Sequence, residues 1–121
     1  FQIIDDILGT FGDEKITGKP TDGDIREGKK TCLLVEAYNK LTGQKKEELM
    51  ELMENPDMSA EDVQSVKDLY IDANVIESCK DLANKYFREA EVALNNLKPV
   101  INQSEREMFE NLLKFVLERK F

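Results

Sequence analysis

Two adjacent carboxylates lie near the start of the chain, Asp5 and Asp6 in "FQIIDDILG", with Ile3, Ile4, Ile7 and Leu8 on either side. Neighbouring side chains on a helix are about 100° apart, so both aspartates share one broad, partly apolar flank. Two carboxylates there repel each other and lose hydration unless a cation lies between them. That cation could be an Arg or Lys from elsewhere in the chain. It could equally be a hard metal such as Mg²⁺, which favours carboxylate oxygens and keeps waters that a phosphate can replace. The next stretch, "GDEKITGKPTDGDIREGKK", sets Lys15, Lys19, Arg26, Lys29 and Lys30 among Gly12, Gly18, Gly23 and Gly28. Glycines let backbone N–H groups approach an anion closely, and lysines act as mobile point charges. Carboxylates for a metal followed by lysines for an anion make a receiver for a diphosphate. The same composition also describes a solvated charged loop, and spacing leaves both readings open.

The elements that must hold these residues read as helices. Phe1 to Phe11 has a helical pattern but neither a capping residue nor an initiating Met ahead of it, so the chain is expected to be part of a longer protein. Residues 12–30 form a loop by their glycines and Pro20. Thr31 begins "TCLLVEAYNKL", which should end at Gly43, just past a helix terminus. "QKKEELMELMEN" places Leu49, Leu52 and Met53 on one face and is stopped by Pro56. Ser59 with Asp62 opens a helix to about Tyr70, and Asn74 with Glu77 a long one to about Leu97, ahead of Pro99. Ser104 with Glu107 opens the last helix, whose stripe is Phe109, Leu112, Leu113, Val116 and Leu117. No segment keeps a strand period. The expectation is an all-α fold of about five to six helices.

Bulk properties remove several functions. The 121 residues make one domain at most. A formal net charge of −8 argues against general nucleic-acid binding. The apolar runs are too short for a membrane span, so no stable membrane insertion is expected. The chain has no His, which excludes His-based general base catalysis and His-ligated metals. Cys32 and Cys79 each fall in an apolar helical pattern and read as two reduced core thiols of a cytoplasmic protein.

Taken together, "FQIIDDILG", "FGDEKITGKP" and "DIREGKKT" resemble the second aspartate-rich region of the trans-isoprenyl diphosphate synthases, the short-chain polyprenyl synthetases. The resemblance implies the C-terminal part of an isoprenoid-synthase helical bundle. Residues 1–121 would be a single C-terminal portion of that domain: an Asp-rich helix at 1–11, a Lys/Gly-rich loop at 12–30, and helices over 31–121. It also implies the reaction, condensation of isopentenyl diphosphate with an allylic diphosphate to a short-chain isoprenyl diphosphate. Residue by residue, Asp5 and Asp6 match the aspartates that bind Mg²⁺ at the allylic diphosphate. Lys19 matches the lysine contacting that diphosphate, and with the two aspartates completes the implied catalytic set. Lys29 matches a second lysine near the site, and Phe1 and Gln2 match the pair lining the substrate pocket. One departure stands out: the position four after Asp5, often a third Asp in the family, is Gly9. Terpene cyclases, a related class, would need other ligands where this chain has Gly9 and Asp13, and the "TGKP…GKKT" loop favours the chain-elongating branch.

The family's first aspartate-rich motif, its basic residues for isopentenyl diphosphate and its dimerising helices all precede this region. The 121 residues alone are therefore expected to be inactive as an enzyme. The alternative is a non-catalytic partner or regulatory subunit of a prenyl synthase. The first helix is apolar nearly all round, through Phe1, Ile3, Ile4, Ile7, Leu8 and Phe11, which favours burial among several neighbours. A homo-oligomer is expected to cover whatever remains exposed.

Overall fold

Side-chain caps start four helices of the computed structural model, those beginning at Glu14, Cys32, Ala60 and Gln103, and the others start without one. The structure describes residues 1–97 and 100–118. Those residues hold eight helices and no strand: α1 (Gln2–Phe11), α2 (Glu14–Thr17), α3 (Gly23–Arg26), α4 (Cys32–Lys40), α5 (Gly43–Glu54), α6 (Ala60–Asp72), α7 (Val75–Asn96) and α8 (Gln103–Leu117). The all-α expectation holds. Six of the helices have nine residues or more, while α2 and α3 are four-residue turns inside the stretch expected to be loop. In α2 a loop residue serves as the cap, whereas α3 starts at Asp22 without a side-chain cap. The Asp13 carboxylate accepts the Lys15 N–H at 2.9 Å to start α2, and Gly18, at φ 69°, ends it in the left-handed region open to glycine.

Three boundaries differ from expectation. Gly43 does not close α4; at φ 60° it turns the chain into α5 after the two residues Leu41 and Thr42. Asn74 precedes α7 but forms no side-chain cap, because it sits at φ 53° with its N–H donated to the Ile71 carbonyl. It serves the end of α6 instead, since only Ala73 and Asn74 separate the two helices and Asn tolerates the left-handed turn. The last helix starts earlier than Ser104: Asn102 and Glu105 form a reciprocal capping box. The box expected at Ser59 and Asp62 is present with both bonds. Pro99, expected to stop α7, lies outside the described residues.

The core lies where α1, α4, α6 and α7 meet. Ile4, Ile7 and Leu8 of α1, Leu33 and Ala37 of α4, Val66, Leu69 and Tyr70 of α6, and Val75 and Cys79 of α7 are all buried in it. Fully burying a large apolar side chain contributes roughly 1.5–3 kcal/mol, so α1 is anchored by its apolar residues rather than by a cap. Phe11 meets Tyr70 edge to face at 6.4 Å. Both cysteine thiols are free, Cys79 buried and Cys32 partly so. The last helix differs from the rest. Although α8 packs on α7, it buries none of its residues, and Leu112 of its expected stripe is 56% exposed. No described helix is long and apolar enough to cross a membrane.

Candidate functional site

The two aspartates leave α1 in different directions. Asp6 is 4% exposed. Its Oδ1 accepts a hydrogen bond from Gln2 Nε2 at 2.8 Å, one turn back along α1, and another from Lys29 Nζ at 3.3 Å. Lys29 Nζ also lies 3.8 Å from Asp24 Oδ2. This triangle is held by α3, whose Ile25 is buried in the core and which packs on α1. The chain then turns at Gly28 (φ 64°), and the Lys29 N–H is donated to the Asp24 carbonyl at 3.0 Å. Carboxylates beside it, Asp6 first and then Asp24 and Asp5, push the Lys29 ammonium above the ordinary lysine range. A raised lysine pKa contributes its stability at every pH below the unfolded value of about 10.4. It loses that contribution only as pH rises through the higher folded value, so Lys29 stays charged throughout neutral conditions.

Asp5 faces a cavity of about 760 Å³, whose walls also carry Lys19, Asp24 and Lys29, with Leu8 and Phe115 as apolar surface. Lys19 is placed there by the short turns of the loop. The Thr17 hydroxyl lies 3.4 Å from both main-chain groups of Lys19. Beyond Pro20, Thr21 donates its N–H and hydroxyl to Glu14 Oε1, both at 3.1 Å. From α6, Lys67 Nζ donates to the Thr21 hydroxyl at 2.9 Å; burial pushes this ammonium below the ordinary lysine range, against the pull of Asp22 and Glu14. The loop is thus braced at both ends. Arg26 is spent on structure, bound to the Asp22 carboxylate and to the Met58 carbonyl between α5 and α6. Lys15 and Lys30 are exposed outside the cavity.

Of the residues singled out by sequence, Asp5, Lys19 and Lys29 therefore share one cavity. Asp6 does not line it and stands behind Lys29. Gln2 is engaged with Asp6, and Phe1, 67% exposed, lies on a second, apolar cleft of about 240 Å³ with Ile4, Phe87 and Leu113. Sequence reasoning missed Asp24. Its carboxylate occupies the space beside residue 9: a Cβ built on Gly9 would stand 3.3 Å from Asp24 Oδ2. A carboxylate from α3 thus approaches the place where the family's third aspartate would project from α1. The signal available was the Asp-Ile of "DIREG", which carries the resemblance but suggested no role for Asp24 itself. As ligands, Asp5, Asp6 and Asp24 offer only hard carboxylate oxygens, which suits Mg²⁺. Among the described residues no three metal-binding side chains are gathered into one cluster. These carboxylates fit a metal that takes its remaining ligands from water and from phosphate oxygens.

Residues 1–70 match the family model for polyprenyl synthetase. The chain is 37% identical to geranylgeranyl diphosphate synthase of Saccharolobus solfataricus, over 99% of its own length and 36% of that protein's. It is 34% identical to geranylfarnesyl diphosphate synthase of Aeropyrum pernix, over 98% of this chain and 36% of the relative. Among solved structures, geranylgeranyl pyrophosphate synthase from Corynebacterium glutamicum, complexed with isoprenyl diphosphate and magnesium, superposes with a TM-score of 0.78 at 30% identity, covering 98% of this chain and 33% of that one. The chain spans about a third of the length of the relatives it matches.

Proposed function

The chain belongs to the polyprenyl synthetase family, and from that premise we propose that it forms one wall of the diphosphate site of a trans-prenyltransferase. The reaction joins isopentenyl diphosphate to an allylic diphosphate and yields a short-chain isoprenyl diphosphate. The observation that carries this reading is the convergence of Asp5, Asp24, Lys19 and Lys29 on one cavity. In it Lys19 and Lys29 would hold the oxygens of the allylic diphosphate as that group departs, and Asp5 with Asp24 would hold Mg²⁺; Asp6, matched to a metal-binding aspartate by resemblance, stands behind Lys29. Bound there, Mg²⁺ supplies neutralising charge to the leaving diphosphate. Asp6 also orients Lys29, whose ammonium it fixes from the buried side. The apolar cleft walled by Phe1, Ile4, Phe87 and Leu113 would receive the hydrocarbon chain, while Gln2 holds Asp6 from one turn back along α1. The protein's own part is positional and electrostatic. We read residues 1–121 as a single portion of the synthetase domain acting in the cytoplasm, with the Asp-rich helix and Lys/Gly-rich loop as its working part.

The test compares two proteins. The 121-residue chain, given Mg²⁺, isopentenyl diphosphate and an allylic diphosphate, is expected to release no diphosphate above background, because a single carboxylate cluster cannot surround the leaving group. A hybrid in which the chain replaces the matching third of the Saccharolobus solfataricus relative is expected to turn over. A folded but inactive hybrid beside an active parent would overturn the reading in favour of a non-catalytic partner. Turnover by the chain alone would overturn the claim that its carboxylates form only part of the site.

The same reading includes self-association. Phe1 ahead of α1, Tyr86 on α7 and Met108, Phe109, Leu112 and Phe115 on α8 are all well exposed, and exposed apolar side chains in this number favour association. The 121-residue chain is expected to sediment as a homo-oligomer, most simply a dimer, at micromolar concentration. A monomer that fails to bind a hydrophobic dye would contradict this.

A further inference from the structure

Outside the diphosphate site, the two cysteines of the chain meet. Cys32, the first residue of α4, and Cys79, in the second turn of α7, are 47 positions apart in sequence, yet their Sγ atoms lie 2.8 Å apart. A disulfide needs a separation of about 2.05 Å, so less than 1 Å of movement divides the two thiols from a bond. The helices that carry them pack directly on one another, and each thiol contacts the core. Neither residue has a part in the proposed reaction. We propose that Cys32 and Cys79 are an oxidative cross-linking site, a dithiol that closes to an intramolecular disulfide and ties the first turn of α4 to α7.

The asymmetry of exposure sets the order of events with a small disulfide as oxidant. Cys32 is partly exposed and Cys79 fully buried, so Cys32 is the thiol an oxidant reaches. Its sulfur attacks one sulfur of a small disulfide RS–SR, breaking that S–S bond and releasing RSH. The Cys79 sulfur then attacks the Cys32 sulfur of the mixed disulfide and expels the second RSH. The two protein thiols lose their hydrogens to the two RSH products, and RS–SR is the species reduced. Burial pushes both thiols above the ordinary cysteine range, so closure is slow and the resting pair stays reduced until an oxidant is supplied. Once closed, the bond ties down the start of α4 beside Thr31, whose hydroxyl caps that helix.

The experiment uses the 121-residue chain with excess oxidised glutathione at neutral pH, followed by alkylation in denaturant and intact mass. The expected product is a chain not covalently linked to another and lighter by two hydrogen atoms, with neither cysteine alkylated. Its unfolding midpoint should rise by about 10 °C, since the bond closes a long loop, and should return on reduction. Cys32→Ser, at the partly exposed position, should abolish both the mass change and the rise. Cys79→Ala serves as a second variant and should trap the glutathione adduct on Cys32. A stable glutathione adduct on Cys32 of the unsubstituted chain, a disulfide between two chains, or two alkylatable thiols after prolonged oxidation would each overturn the proposal. None of these outcomes touches the diphosphate site, so its reading stands or falls separately.

Discussion

Asp5→Ala, placed in the hybrid with the Saccharolobus solfataricus relative, is expected to lower kcat by roughly 10²–10³-fold, the cost of removing one preorganised electrostatic group from a leaving-group site. That loss corresponds to about 3–4 kcal/mol of barrier. The direction follows from the cavity's charges. With Asp5 gone, Lys19, Lys29, Asp24 and Glu118 remain on the walls, one negative charge fewer than before, so binding of a diphosphate without metal should hold or improve, while the Mg²⁺ needed for half-maximal turnover should rise. The fold should not suffer. Asp5 is only partly buried, and alanine is a better helix former than aspartate, so the far-ultraviolet dichroism and the unfolding midpoint should match those of the parent hybrid. Turnover and Mg²⁺ dependence unchanged from the parent would show that this carboxylate is structural.

How far the site was legible in advance depended on whether each part was local. Asp5, Lys19 and the loop between them could be read because glycines, aspartate caps and lysines act within a few residues of one another, and the structure braces that loop with the same residue types. The pairing of Lys29 with Asp6 was not legible. It depends on Ile25 docking α3 into the core, a tertiary event that no periodicity announces. Asp24 was missed for the same reason, since its nearness to Gly9 exists only once α3 lies on α1. Helix identity was readable from apolar spacing, whereas Asn74 and Gly43 were assigned to the wrong ends of helices. Asn74 sits in a connection of two residues and Gly43 directly follows another, where one residue can serve the helix before it or the helix after it. The apolar stripe of α8 was correct as a pattern and uninformative about burial, because a stripe records which face seeks a partner and not whether one is present.

Asp6→Ala separates the buried aspartate from its exposed neighbour, and its expected effect is on stability as well as on rate. Asp6 is held by Gln2 and Lys29 in a nearly closed environment. Truncation removes the acceptor of both bonds and leaves a small void under α1. The Lys29 side chain is 44% exposed, so its ammonium can turn to water and the ion pair itself contributes little. The larger cost is the lost bond from the Gln2 amide together with the void, about 1–3 kcal/mol in all. For a chain of this length that lowers the unfolding midpoint by roughly 5–10 °C. In the hybrid, turnover should also fall, since Lys29 loses the group that aims it, whether or not Asp6 also touches a metal. Asp6→Asn distinguishes these contributions. It preserves shape and an acceptor for Lys29 while removing the charge, so the midpoint should stay near that of the parent while turnover drops. Thermal unfolding followed by dichroism, with kcat measured on the same preparations, decides the matter. An Asp6→Ala variant with unchanged midpoint and unchanged kcat would refute both the buried pairing and its part in positioning Lys29.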